Sequence, residues 1–288
     1  MEKISFFKMS GAGNDFILVD KDKNPAFTLD QSAIKKLCDR HNGIGADGII
    51  SIENSADKDF KMNYYNADGS TGSLCGNGAR CAIYFAGMSN RLKNGKASFL
   101  SNDESYSGEM LANGNIKFNL NAPKKLKFNF KIKAGEQLIN SSFANTGSPH
   151  VVININEILK NPSDPNSFHT DMDQIPVIEL GREIRNLQDF APSGTNVNFI
   201  DIKDERVHIR TYERGVETET LACGTGSVAA ALIVFVNNKM KPPVTIVTRG
   251  KEELVVDFRV ENKRVTDLSL SGPAKIVYTG EMLLNNFF

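Results

Sequence analysis

Cys75-Gly-Asn-Gly and Cys223-Gly-Thr-Gly stand 148 positions apart (75 to 223) in a chain of 288 residues, and each opens an apolar stretch of helical length. Residues 77–90 and 224–237 are apolar around much of their circumference, the second nearly all round. A helix of that kind is enclosed rather than laid on a surface. Each cysteine also follows a strand-like run that ends in a polar residue, Asn66 before the first and Glu213 before the second. A second echo pairs Gly11-Ala-Gly-Asn14-Asp-Phe-Ile with Ser193-Gly-Thr-Asn196-Val-Asn-Phe-Ile. The repetition predicts two related lobes, and 288 residues exceed one average domain of about 150.

The rest of the chain reads as short β-branched and aromatic runs broken by turn residues, such as Phe16–Asp20, Gly48–Ile52 and Val207–Tyr212. Helix is expected only near 30–40, 77–90 and 224–237. Asn113-Gly114 between Gly108–Ala112 and Asn115–Leu120 predicts a hairpin whose two turn residues both take positive φ. The fold class is therefore α+β: two pseudo-symmetric lobes, each a curved, mostly antiparallel or mixed sheet wrapped around a central buried helix, with the active site in the cleft between them. The boundary falls at Ala122-Pro123, before Lys124, Lys125 and Lys127. This gives an N-terminal lobe of 1–122 and a C-terminal lobe of 123–274.

Charge excludes some partners. Lysine plus arginine and aspartate plus glutamate both number 34, so nothing global favours nucleic acid or an anionic membrane. The first residues lack the apolar core of a secretory signal, and the longest apolar run, Val228 to Val236, is far short of the roughly 20 residues of a membrane-spanning helix. Four cysteines are too few for a disulfide scaffold and suit a reducing cytoplasm. A metal site would want closely spaced cysteine or histidine pairs, and Cys75-x5-Cys81 with scattered His41, His150, His169 and His208 does not supply them. Gly11-Ala-Gly has no following Walker lysine, so no nucleotide is expected.

Each repeated motif makes chemical sense by itself. A helix N-terminus offers unpaired N–H groups and about half a positive charge, which binds a carboxylate and favours a thiolate beside it. Glycines there let the backbone approach the anion. Two such sites acting together suit inversion at an α-carbon, in which one group removes a proton from one face and another delivers one to the opposite face. An ordinary thiol pKa near 8.5 needs only a modest shift to serve at neutral pH. Two adjacent thiols would titrate as a coupled pair. No imine-forming cofactor is evident, so converging helix ends would have to stabilise the carbanion. By the bland reading Cys75 and Cys223 are small buried apolar residues, which the repeated glycine context argues against; Cys38 and Cys81 fit core packing.

Lys8-Met-x-Gly-x-Gly-Asn14-Asp-Phe, Asn66-Ala-Asp-Gly-Ser70, Cys75-Gly-Asn-Gly-Ala-Arg-Cys81, Gly147-Ser-Pro-His150, Glu213-Arg-Gly-Val and Thr220-Leu-Ala-Cys223-Gly-Thr-Gly together resemble the diaminopimelate epimerases, in family order over almost the whole chain. The resemblance implies a pyridoxal-independent enzyme that interconverts LL- and meso-diaminopimelate for lysine and peptidoglycan synthesis. It implies that Cys75 and Cys223 are the catalytic thiols, with His150 and Glu213 assisting proton movement. Gly76, Asn77, Gly224 and Thr225 would cradle the reacting carboxylate, while Asn14, Asn66, Asn196, Glu213 and Arg214 would hold the substrate, chiefly its non-reacting end. The segment from Lys275 to residue 288 would return to the first lobe. Without the resemblance, His150 is nearly as well read as structural, and Glu213 with Arg214 as a surface pair.

The partner implied is a small diamino dicarboxylic acid, with no cofactor, metal, nucleic acid or membrane, and the sequence allows a homodimer. Two departures fall on contacts to the distal end of the substrate: Ser148 where many members carry asparagine, and Glu217-Thr218 lengthening the Glu-Arg loop. The rival readings are another racemase of the same fold, such as a proline or hydroxyproline racemase, a thiol redox or sensor protein, and a non-catalytic amino-acid binding protein.

Overall fold

The computed structural model describes residues 3–25, 27–72 and 75–283. The chain divides into two compact units, Met1–Asn119 with Ser271–Phe288, and Leu120–Leu270. The last five residues of the expected 275–288 return lie outside the described residues.

In the first unit Lys3–Gly11 pairs antiparallel with Asn14–Asp20 on one side and with the returning strand Lys275–Leu283 on the other. Asn14–Asp20 runs parallel to Gly48–Glu53, which is antiparallel to Phe60–Asn66. Phe60–Asn66 is parallel to Lys96–Ser101, followed antiparallel by Glu104–Met110 and Ile116–Asn119. Each parallel step needs a crossover. The first crossover carries helix α1 (Gln31–Cys38), whose N-terminus is capped by Asp30 accepting from the N–H of Ala33 at 2.7 Å. The second carries helix α2 (Gly76–Met88).

The second unit repeats this succession step for step. Lys125–Ala134 and Gln137–Asn145 pair antiparallel, then Pro149–Asn154 antiparallel, Asn196–Lys203 parallel, Arg206–Glu213 antiparallel, Val244–Val247 parallel and Glu253–Glu261 antiparallel. Its crossovers carry helix α3 (Val177–Arg185) and helix α4 (Gly224–Asn237).

In each unit the sheet wraps a central helix. Helix α2 packs against strands from Lys3–Gly11 round to Ile116–Asn119, and α4 against strands from Gln137–Asn145 round to Glu253–Glu261. Enclosure on many sides is why α4 is apolar all round: Val228 through Val234 are all buried, each large side chain contributing about 1.5–3 kcal/mol. The opposite face of each sheet is covered by the shorter helix. Ile34, Leu37 and Cys38 of α1 close over Ile17, Val19 and Ile49, and Val177, Leu180 and Ile184 of α3 over Val151, Val197 and Tyr212. The structure is α+β, as the repeat and the strand-rich pattern predict.

Three sequence expectations change. Helix α3 was not expected; its central Gly181 weakens the helical signal and is buried against Tyr212. The Asn113-Gly114 turn has positive φ only at Gly114 (84°), because the ladder closes with the Leu111 N–H donating to the Asn115 carbonyl and leaves a three-residue loop. The Asn113 side chain instead accepts from the N–H of Asn115 at 3.1 Å, an Asx turn.

The third concerns the second sequence echo. Ile17 pairs with Ile49 and Ile49 with Tyr65, while Val151 pairs with Val197 and Val197 with Tyr212. Strand Asn196–Lys203 is thus the counterpart of Gly48–Glu53, not of Asn14–Asp20. Asn66 and Glu213 are equivalent strand ends, but the position equivalent to Asn14 is Ser148.

Candidate functional site

Both cysteines occupy the N-cap of their central helix with extended backbone, φ −89° and ψ 121° at Cys75, φ −126° and ψ 112° at Cys223. Where serine or aspartate would tie up a first-turn N–H, sulfur makes no capping hydrogen bond. The N–H groups of Gly76, Asn77 and Gly78, and of Gly224, Thr225 and Gly226, precede the first in-helix bonds, Ala79 N–H to the Cys75 carbonyl and Ser227 N–H to the Cys223 carbonyl. Cys75 is partly buried and Cys223 is 7% exposed. Gly226 is glycine for packing as much as for ligand approach: a Cβ there would lie 2.4 Å from Asn198 Oδ1.

Behind Cys75 lies a chain of amides. Asn77 donates to Asn14 Oδ1 at 2.6 Å, and Asn14 Nδ2 donates to Asp47 Oδ2 at 2.9 Å. Arg80 donates to Asn77 Oδ1 at 2.8 Å and to the Gly76 carbonyl at 3.4 Å. Each asparagine keeps one amide hydrogen for another acceptor. Asp47 and Asp15 share Arg40, and Asp15 also pairs with Lys8, whose ammonium donates to the Gly45 carbonyl. Partial burial pushes the Asp15 carboxyl up, but the hydrogen bonds and charges of Arg40 and Lys8 outweigh it and bring the group down to about 2. Asn66, at the end of its strand, donates to Ser70 Oγ at 3.0 Å, and Ser70 donates to Asp68 at 2.6 Å.

Behind Cys223 the groups are hydroxyls and an imidazole. Ser148 Oγ lies 3.1 Å from Thr225 Oγ1, repeating the Asn14–Asn77 contact at equivalent positions. His150 is 0% exposed, its Nε2 2.9 Å from both Thr225 Oγ1 and Ser148 Oγ. Asn198 Nδ2 stands 3.1 Å from His150 Nδ1 and donates to the Val151 carbonyl, while its Oδ1 accepts from Thr211. That amide orientation makes Nδ1 the acceptor and puts the ring hydrogen on Nε2, aimed at Thr225 and Ser148. Burial holds the imidazole neutral, with its pKa pulled down to about 3; Asn198 opposes and the nearby charge of Arg214 adds to the drop. Thr225 Oγ1 is 3.6 Å from the Cys223 sulfur.

The remaining sequence-predicted residues of this unit gather beside that group. Asn196 is 4% exposed, donates to the Pro149 carbonyl at 2.9 Å and accepts from the N–H of Arg214 at 2.9 Å. Arg214 donates to the Ser193 carbonyl at 3.2 Å, and Glu213 accepts from Thr220 at 2.8 Å. Glu217, in the lengthened loop, turns back to accept from Arg185, Gly215 and Tyr212. The structure thus brings Asn14, Cys75, Gly76 and Asn77 together in one unit, and His150, Asn196, Glu213, Arg214, Cys223, Gly224 and Thr225 in the other. Arg80 and Ser148 carry contacts that the sequence reading did not assign. Arg80 had a signal, since a charged residue four positions after Gly76 shares the face of the helix start.

Among the described residues no helix is long and apolar enough to cross a membrane, and no group of three or more histidine, cysteine, aspartate or glutamate side chains is arranged to hold a metal ion.

The fold is shared with solved structures. A Bacillus anthracis phenazine biosynthesis protein of the PhzF family matches 98% of this chain and 100% of its own with a TM-score of 0.71 at 16% identity. A probable proline racemase from Agrobacterium radiobacter matches 98% and 93% with a TM-score of 0.69 at 11% identity. The repeated-lobe α+β fold of racemases and related proteins is therefore the class to which this chain is assigned. Within that class, the diaminopimelate epimerase family model matches residues 6–126 and 142–277, and this chain belongs to that family. It is an isomerase by that membership. Diaminopimelate epimerases from Chlorobaculum tepidum and Aquifex aeolicus are 39% and 36% identical, covering 96% and 97% of this chain and 100% and 98% of their own. That of Campylobacter jejuni is 34% identical over 99% of this chain and all of its own.

Proposed function

We propose that this enzyme interconverts LL- and meso-diaminopimelate without a cofactor, Cys75 and Cys223 acting as a thiolate and thiol on opposite faces of one α-carbon. The observation that carries the reading is the placement of the two cysteines at equivalent N-caps of the two buried helices, within a chain of this family. In each direction a thiolate takes the α-hydrogen as a proton and the C–H electron pair remains on carbon, delocalised into the carboxylate. The other thiol releases its proton to the opposite face and becomes the thiolate. The sulfurs end with their roles exchanged, so the return reaction starts from the complementary state.

First-turn N–H groups at Gly76, Asn77, Gly224 and Thr225 meet the negative charge that grows on the carboxylate oxygens. Asn14, Asn66, Asn196 and Arg214 offer donors to the distal carboxylate, and Glu213 an anion to the distal ammonium. His150, neutral and aimed at Thr225, positions that hydroxyl beside the Cys223 sulfur rather than acting as a charged acid. The product would feed lysine and peptidoglycan synthesis in the cytoplasm.

The test is incubation with diaminopimelate in heavy water under reducing conditions. Deuterium is expected at the α-carbon together with interconversion of the isomers. Alanine at either cysteine should lower epimerisation by about a thousandfold or more while leaving substrate binding within about tenfold. Turnover of proline but not diaminopimelate, absence of exchange, or unchanged epimerisation in either variant would overturn the proposal.

A further inference from the structure

The two helix starts are alike in backbone and dipole, so the helices alone cannot decide which sulfur is charged before substrate arrives. Five positions after each cysteine the halves differ: Arg80 in α2, Val228 in α4. Arg80 is 0% exposed. Its side chain runs back along the helix, as long helical side chains do, and its guanidinium bonds to Gly76 and Asn77, the two residues next to Cys75. Among the described residues no carboxylate lies within ion-pair distance of it, and its Nε has no hydrogen-bond partner. A buried cation in this state calls for a nearby anion.

We propose that Arg80 makes Cys75 the resting thiolate and leaves Cys223 the resting thiol in the unliganded enzyme. The inference rests on the two-thiol reading above and adds which sulfur starts with the proton.

The other charges around each site support this. Near Cys75, on the strands and loop packed against α2, Asp15 and Asp47 face Lys8 and Arg40, two anions against two cations, and Asp68 is exposed and held by Ser70. Arg80 is the unbalanced charge. Cys81 is its other neighbour, but burial pushes that thiol up to about 12, so it stays protonated. Burial pulls the Arg80 guanidinium down to about 10, with Cys81 and Cys75 opposing, which leaves it a cation at neutral pH. Around Cys223, Glu213 accepts from Thr220, the half-buried Arg214 donates to the Ser193 carbonyl, Arg210 is paired with Glu219, Asp201 with Lys203, and His150 is neutral. No buried surplus cation faces that helix start among the described residues.

The experiment follows iodoacetamide alkylation against pH, using Cys223→Ala to read Cys75 and Cys75→Ala to read Cys223, with peptide mass mapping to separate the read cysteine from Cys38 and Cys81. The alkylation midpoint of Cys75 should lie about one pH unit or more below that of Cys223, equivalent to about tenfold in thiolate population. Arg80→Met should raise the Cys75 midpoint by about the same amount and leave that of Cys223 unmoved, and Arg80→Lys should restore most of the difference. A merely structural loss would move both sulfurs or neither. Equal midpoints, a lower midpoint at Cys223, or no shift in Arg80→Met would overturn the proposal. If Arg80→Met does not fold, the comparison of Cys75 with Cys223 beside an intact Arg80 decides alone. α-Hydrogen exchange by the unaltered enzyme separates this failure from that of the two-thiol reading: exchange with equal midpoints rejects only the role of Arg80.

Discussion

The first unit surrounds its cysteine-bearing helix start with amides, carboxylates and a fully buried guanidinium; the second sets hydroxyls, an amide and a neutral imidazole against its own, with Glu213 and the half-buried Arg214 beside them. Strand order, parallel crossovers and the cysteine N-cap are the same in both. Position is therefore supplied by the backbone frame, and electrostatic character by the few side chains that differ within it. Asn14 against Asn77 and Ser148 against Thr225 are the same contact built from different groups.

Acid should separate the units most strongly. His150 titrates near 3 when folded and near 6.5 when unfolded, so the unfolded chain takes up the proton first as pH falls. Its contribution is complete above 6.5 and is lost towards 3, at about 1.4 kcal/mol per pH unit. Asp15, also depressed but from 3.8 to about 2, contributes fully above 3.8 and loses roughly 2 kcal/mol only below that. Hydrogen exchange followed by mass spectrometry from pH 7 to 4 should show strands Pro149–Asn154 and Asn196–Lys203 losing protection while Asn14–Asp20 keeps it. Equal loss in both would break the comparison.

Truncating equivalent side chains should have unequal costs. Asn77→Ala strips partners from a buried guanidinium and from Asn14, and is expected to cost about 3 kcal/mol in urea unfolding. Thr225→Val removes a hydroxyl among neighbours that can still bond one another, and should cost about 1 kcal/mol. Equal costs would mean that the charged network contributes no more than the neutral one.

The smallest effect is expected for Ser148→Ala. The ring hydrogen of His150 keeps Thr225, so the loss should stay below about 1 kcal/mol by the same unfolding measurement. A larger loss would make Ser148, rather than Thr225, the main partner of the imidazole.

Much of the frame was legible because it depends on local pattern. Apolar periodicity after each Cys-Gly-x-Gly gave the two central helices, and the strands that end at Asn66 and Glu213 were visible as β-branched and aromatic runs. Helix α3 was hidden by Gly181, although the repeat carried its signal: α1 and α3 lie on the same crossover of each unit. The Gly11–Ile17 echo misled because similar strand entries recur at positions that are not equivalent. Short sequence likeness cannot distinguish them; hydrogen-bonded register can.

By itself the sequence determined that the chain has two related halves, that each sets a cysteine at the start of a buried helix, and which family motifs it carries. Only tertiary structure decided that Ser148 is the counterpart of Asn14, that His150 is sealed from water and neutral, and that the Arg80 guanidinium lies at the first turn of α2. The reason is physical: helix and strand follow from the spacing of apolar residues along the chain, whereas the charge state of a group depends on how much water and which partners the folded chain leaves around it.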